Sequence, residues 1–273
     1  MTSSKLVKSN APLDQIEIFK SDSIEIPYQE VVAEETPVAV TFNGISHAVM
    51  MASPQDLEDF AFGFSISEGL VKTIDDIFSI EINQVDQGIE LNIEISSEAF
   101  MKLKDRRKNL AGRTGCGICG SESLSQIFIE SENKISNNSL FDLNIIKSAL
   151  EKFGDNQIIK NKTGSTHACS LFDSRGDILC TREDVGRHNA LDKLIGFALK
   201  TKINLENTFL VISSRGSFEM IQKASFIGCQ LIVAISAPTA LAVRLANNMN
   251  ITLAGFAKNK VFNVYTHKNR FNV

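Results

Sequence analysis

The stretch Phe209-Leu210-Val211-Ile212-Ser213-Ser214-Arg215-Gly216-Ser217 decides the fold. Four consecutive apolar residues ahead of a hydroxyl- and glycine-rich turn predict a short strand buried on both faces, since a half-exposed strand would alternate. A helical pattern over about 217–227 follows the turn. The same grammar then repeats. Leu231 to Ile235 is an apolar run, Ser236-Ala237-Pro238-Thr239 a turn, about 238–247 a helix, and Ile251 to Phe256 another strand. Strand, helix, strand, helix, strand implies parallel pairing through right-handed crossovers, and so an α/β layer. A last strand, Val261 to Tyr265, follows across only Ala257 to Lys260, short enough for an antiparallel hairpin.

Upstream, His167 to Phe172 and Ile178 to Thr181 read as strands joined by the turn Asp173-Ser174-Arg175-Gly176, and about 186–200 as a helix. Phe141 to Phe153 is helical in period and stops at Gly154. Residues 129–140, rich in Ser, Asn and Glu, read as a linker, which places a boundary near 138. The expected organisation is a flexible N-terminus over 1–22, a smaller α+β domain over 23–138 and an α/β domain over 139–273. In the first half, Asn43-Gly44 between Val38–Phe42 and Ile45–Met51 predicts a hairpin, because Asn-Gly supplies two positive φ angles. Ser53-Pro54 reads as a helix cap with proline at the first helical position, ahead of an apolar face at Leu57, Phe60, Ala61 and Phe64. His47 reads as an outward-facing strand residue. Ile89, Leu91, Ile93 and Ile95 alternate as in a half-buried strand, and Lys102 to Lys108 reads as a solvated helix face.

Composition excludes several classes of function. Hydrophobic residues make up 43%, enough for a sizeable core, and the net charge is −4 with no basic tail. That balance argues against nucleic acid as a partner, because phosphate-backbone binding needs concentrated positive charge. The N-terminus MTSSKLVKSNAP lacks an apolar signal segment, and Leu231 to Val243 is too short to span a bilayer, so no membrane insertion is expected. Five cysteines, an odd number whose spacing shows no disulfide framework, fit a reducing, cytoplasmic setting.

An open parallel sheet binds ligands at the carboxyl ends of its strands. Ser213, Ser214, Arg215 and Gly216 combine hydroxyls, a guanidinium and free backbone N–H groups at a helix start, which suits phosphate. With the Ser236–Thr239 turn at the same edge, they point to a phosphorylated or nucleotide-like ligand, although each alone could be an ordinary cap. Neither turn is a Walker A loop or a GxGxxG fingerprint, which argues against a nucleoside triphosphatase or a Rossmann dehydrogenase. In Thr181 to Lys193, Leu191, Leu194, Ile195 and Ala198 form a buried stripe, which sets His188 and Asp192 one turn apart on another face. That pair reads either as acid/base or anion-binding machinery or as a satisfied surface pair. Arg182, Arg187 and Lys193 add positive charge there.

Gly112-Arg113-Thr114-Gly115-Cys116-Gly117-Ile118-Cys119-Gly120 cannot be a helix or strand interior, with glycine this dense. It reads as a loop presenting Cys116 and Cys119, with Arg113 favouring the thiolate. Sulfur chemistry between proteins, a redox pair, half of a zinc site and two buried small residues all fit a CxxC. A zinc site would recruit Cys169 and Cys180.

The loop GRTGCGICG, the segments DLEDFAFGFSISEGLV, TREDVGRHNALDKLIG, SSRGS with SFEMIQKA, and SAPTALAVRLA, and the ending GFAKNKVFNVYTH are all present. Together they resemble the formate dehydrogenase accessory sulfurtransferase family (FdhD), in the family's order and from about residue 25 onward. The resemblance implies a sulfurtransferase that accepts persulfide sulfur from a cysteine desulfurase. It would deliver that sulfur to the molybdenum cofactor, as bis(molybdopterin guanine dinucleotide), for formate dehydrogenase. It implies a homodimer, a cytidine-deaminase-like three-layer C-terminal domain, Cys116 as persulfide carrier with Cys119 beside it, and cofactor binding by Phe256, Ala257, Lys258, Asn259, Lys260 and Val261. Guanine nucleotides such as GDP would then act as partial mimics. The alternative is a chaperone that shelters the cofactor while the thiols only assist docking. Deaminase metal chemistry is not expected, since none of the four histidines precedes a glutamate by two positions and Cys116 follows glycine. Arg215, His188 and Lys258 are expected to line one pocket with the loop at its mouth, and Arg187 to bind the cofactor as well.

Overall fold

The computed structural model describes residues 11–108, 135, 139–258 and 261–272. The expected boundary near residue 138 lies outside them. Two cores are present, each built on its own sheet.

The first sheet has the order β4-β3-β6-β5, from β3 (Thr36–Phe42), β4 (Ile45–Ala52), β5 (Ile77–Val85) and β6 (Gly88–Ile95). Asn43 and Gly44 adopt φ of 47° and 73°, as the Asn-Gly turn requires. Val38, Val40 and Phe42 on one face meet Leu91, Ile93 and Ile95 and are covered by helices α1 (Leu57–Ser67) and α2 (Ser97–Lys108). His47 faces inward, with its ring edge-on to Phe42 at 5.3 Å and to Phe64 at 5.9 Å. Simple alternation with Val49 suggests the opposite side, but the register shifts between Val40 and Thr41. Leu13–Lys20 (β1) and Ser23–Ala33 (β2) pair as an antiparallel ribbon, so a strand occupies Leu13–Lys20 where a flexible stretch is expected. Its side chains are largely exposed, and without a buried face there is no period to read.

The second sheet has the order β13-β12-β11-β10-β8-β9: β8 (His167–Phe172), β9 (Ile178–Asp184), β10 (Phe209–Ile212), β11 (Leu231–Ala234), β12 (Thr252–Lys258) and β13 (Val261–Val264). The pairs β10–β11 and β11–β12 are parallel, and β12–β13 is an antiparallel hairpin. Leu210, Ile212, Ile232, Ala234 and Leu253 pack on α5 (Arg187–Lys200), α6 (Phe218–Ser225) and α7 (Ala240–Asn248). Phe209, Val211, Leu231, Val233 and Ala254 face the other way, against Ile146, Ala149 and Phe153 of α3 (Leu143–Asp155). Two-sided burial is why these strands read as unbroken apolar runs. The result is the expected mixed α/β architecture, with helices on both faces of the second sheet. The short α4 (Ile158–Thr163) precedes β8, and β7 (Phe141–Asp142) forms a two-residue parallel pair with β14 (Phe271–Asn272).

The two cores are joined where α1 crosses α5. A Cβ on Gly63 would lie 1.7 Å from the Asp192 carbonyl oxygen, and one on Gly196 would lie 1.8 Å from that of Asp59. Only glycine allows this backbone approach. Buried ion pairs surround the crossing. Lys193 Nζ lies 2.6 Å from Asp184 Oδ2 with both side chains fully buried, and Arg182 bonds Asp59 at 2.7 Å. Lys223 Nζ lies 3.0 Å from Asp192, which also accepts from Ser67 Oγ at 2.6 Å. Arg182, Asp192 and Lys193 therefore serve the junction and do not extend a surface site; the His188–Asp192 surface pair is corrected. Ser53 is drawn into the same junction. Its N–H donates to Asp184 Oδ2 at 3.0 Å and its carbonyl accepts from Lys193 Nζ at 2.9 Å. Consequently α1 starts at Leu57 with Asp56 as cap, not at Ser53-Pro54.

Candidate functional site

β8 runs antiparallel to both β9 and β10, so β9, β10, β11 and β12 all end at one edge of the sheet. The N-termini of α5, α6 and α7 gather there, each presenting the positive end of a helix dipole. Every described residue expected at the site lies along this edge.

Ser213 follows β10. Its N–H donates to the Ala168 carbonyl at 2.9 Å, and its Oγ accepts the Ala168 N–H at 2.9 Å. Ser214 is buried, its hydroxyl donating to the Arg215 carbonyl at 3.1 Å, while Arg215 itself is exposed. The Gly216 carbonyl accepts the Thr239 N–H at 3.0 Å, which clamps this turn to the Ser236–Thr239 turn. A Cβ on Gly216 would lie 3.3 Å from Leu253 and 3.4 Å from Pro238, so glycine keeps the contact close. Thr239 caps α7 by accepting the Ala242 N–H at 3.2 Å.

Phe256 continues the edge. Its N–H donates to the Ser236 carbonyl at 3.1 Å, its φ is 55°, and it is 52% exposed. A bulky residue in the left-handed region is uncommon, and here it coincides with a register shift between Gly255 and Lys258 that turns the ring outward. Ala257 is buried, and Lys258 and Val261 are exposed. Asn259 and Lys260 lie outside the described residues, as does the whole loop carrying Cys116 and Cys119.

Arg187 and His188 open α5. Burial, reinforced by the charges of Arg187 and Lys223, pushes the His188 imidazole down to about 4, against the pull of Glu219 and Glu68. Its Nε2 and the Arg187 Nε are enclosed without a hydrogen-bond partner. Across from them in α6, burial works to raise the Glu219 carboxyl. Its own backbone N–H, the nearby Ser217 hydroxyl and the His188 and Arg187 charges hold it below its ordinary value. Thus the N-termini of α5 and α6 face each other.

The edge is long. His188 stands over the β9 end and Lys258 at the β12 end, four strand positions apart and so roughly 19 Å at the usual strand spacing. Arg215 sits between them. An edge of that length suits an extended anionic ligand, and the two orphaned nitrogens fit a group that supplies acceptors. His167, at the first position of β8, belongs to this edge as well, its Nδ1 3.2 Å from Ser213 Oγ. Sequence reading misses it because β8's direction relative to β10 has no local signature.

Cys169 and Cys180 lie buried in β8 and β9, and burial pushes both thiols up, Cys180 to about 12. That opposes the thiolates a zinc site needs. Among the described residues no group of three His, Cys, Asp or Glu side chains could hold a metal ion, and no helix is long and apolar enough to cross a membrane.

The sequence profile of the FdhD/NarQ family matches residues 33–272. The sulfur carrier protein FdhD of Cupriavidus necator is 48% identical over 239 residues, covering 88% of this chain and 83% of that protein. A crystal structure from Desulfotalea psychrophila, described as that of a candidate formate dehydrogenase accessory protein, matches with a TM-score of 0.71 at 24% identity. It covers 95% of this chain and 98% of the other, a likeness that speaks for the fold. The chain belongs to the FdhD/NarQ family.

Proposed function

We propose that this protein is a sulfur carrier serving formate dehydrogenase, with Cys116 as the carrier. The observation that carries the reading is the 48% identity to a sulfur carrier protein, in a chain whose only described cysteines are buried. Carriage then falls to the loop pair Cys116 and Cys119. The Cys116 thiolate attacks the outer sulfur of a cysteine desulfurase persulfide. The donor S–S bond breaks, the donor cysteine leaves as thiolate, and Cys116 holds the new persulfide.

The recipient is the molybdenum cofactor as bis(molybdopterin guanine dinucleotide), the substrate of the hand-over. Its pyrophosphates would be met by the Ser213–Gly216 turn, Arg187, His188 and Arg215, and its outer end by Phe256 to Val261. Support comes from the convergence of three helix N-termini, an exposed guanidinium and two orphaned nitrogens on one edge. The persulfide S–S bond breaks as sulfur passes on, which requires near-contact between the loop and this edge, in one chain or across a homodimer. The setting is the cytoplasm, where thiols stay reduced.

Cys116→Ala, with its fold intact, is expected to abolish activation of formate dehydrogenase. Normal activation by that variant would instead favour a chaperone that shelters the cofactor.

A further inference from the structure

β8 enters the second sheet at the very edge where its neighbours β9 and β10 leave it, and it brings no helix to the α5–α6 face there. The N-termini of α5, over β9, and α6, over β10, therefore flank a notch above the start of β8. His167 lies at its floor. It pairs in register with Asp184, and cross-strand partners share a face, so its imidazole is on the side of α5. Asp184 itself is committed to Lys193 and Ser53 below the notch.

The ring is held from one side only. Nδ1 lies 3.2 Å from Ser213 Oγ, which is itself fixed by the Ala168 N–H. Nε2 has no hydrogen-bond partner among the described residues and is not enclosed. Burial holds this imidazole below its ordinary value, as do the charges of Lys160 from α4 and Arg187 from α5, against the pull of Asp184 from β9. A half-buried, positioned imidazole with a free nitrogen thus lies within the field of Lys160 and Arg187, and Arg187 Nε and His188 Nε2 at the start of α5 are unpaired as well.

We propose that His167 is a ligand-binding residue of this edge, its Nε2 hydrogen-bonding a phosphate oxygen in the notch between α5 and α6, with Ser213 positioning the ring. This rests on the cofactor reading above and adds to it a residue and a location. Ser213 changes role accordingly, since its hydroxyl serves His167 and does not touch phosphate directly.

Calorimetry with guanosine diphosphate on the full-length protein tests it. A hydrogen bond to a charged acceptor corresponds to about a tenfold change in affinity. His167→Ala should weaken binding by about that factor while keeping the thermal midpoint. His167→Gln, whose amide reaches the position of Nε2, should recover most of the loss, which a merely structural role would not predict. Ser213→Ala should fall between. Unchanged affinity in His167→Ala, or no advantage of glutamine over alanine, overturns the proposal alone. No binding by the unaltered protein overturns it together with the cofactor reading.

Discussion

Gly63 of α1 and Gly196 of α5 touch through their backbones: a Cβ on Gly63 would lie 2.8 Å from the Gly196 nitrogen as well as 1.7 Å from the Asp192 carbonyl oxygen. Asp192 is one turn from His188, so the geometry of this crossing fixes where α5 begins over the sheet edge. Gly63→Ala or Gly196→Ala is expected to destabilise by about 3 kcal/mol or more, because backbone and not a flexible side chain must move. Urea unfolding measures this. A loss of under about 1 kcal/mol, below the overpacking range, would mean that the helices separate easily.

The cations that sequence reading gathers near the site divide into two kinds. Lys193 is fully buried against Asp184, and its replacement by methionine strands that carboxylate. Breaking such a pair costs about 3–5 kcal/mol. Lys193→Met should therefore lower stability without a specific loss of guanosine diphosphate affinity in the protein that remains folded. Arg215→Ala should do the reverse, leaving stability nearly unchanged and weakening binding in a salt-dependent way. Equal effects of both substitutions on affinity would return Lys193 to the ligand site.

A pH dependence follows from His188. Its folded value is depressed to about 4, so the unfolded chain takes up the proton first as pH falls. The stability associated with neutral His188 is complete above the ordinary histidine value and is lost as pH drops towards about 4. His167 shifts in the same direction. His188→Gln should flatten the decline in urea midpoint across this window by at most one proton's worth, about 1.4 kcal/mol per pH unit. An identical decline in the variant would show that His188 titrates normally.

Much of the fold is legible because its signals are local. Phe209–Ile212 and Leu231–Ala234 are unbroken apolar runs, Asn43-Gly44 is a turn with one natural geometry, and Leu191, Leu194, Ile195 and Ala198 form a stripe at helical spacing. The carboxyl-edge turn at Ser213–Ser217 can be read for the same reason. Burial of charge cannot. Lys193 and Asp192 look like surface residues of an amphipathic helix until α1 packs on that second face, and nothing near them in sequence announces α1. Ser53-Pro54 reads as a helix cap for want of knowing that Asp184, far along the chain, takes its N–H. The extent of the site is no more local. Placing His188 and Lys258 at opposite ends of one sheet edge requires the strand order, which comes from the position of β8 between β9 and β10.

The central claim is that Cys116 accepts sulfur. The most direct test is intact-protein and peptide mass spectrometry after incubation with a cysteine desulfurase and cysteine, without reductant. The account predicts a gain of one sulfur atom on the peptide containing Cys116, reversed by a thiol reductant and absent in Cys116→Ala. Cys169, Cys180 and Cys229 are buried with their thiols pushed up, and they should stay unmodified. A Cys116 peptide that gains no sulfur while the same protein still activates formate dehydrogenase would contradict it.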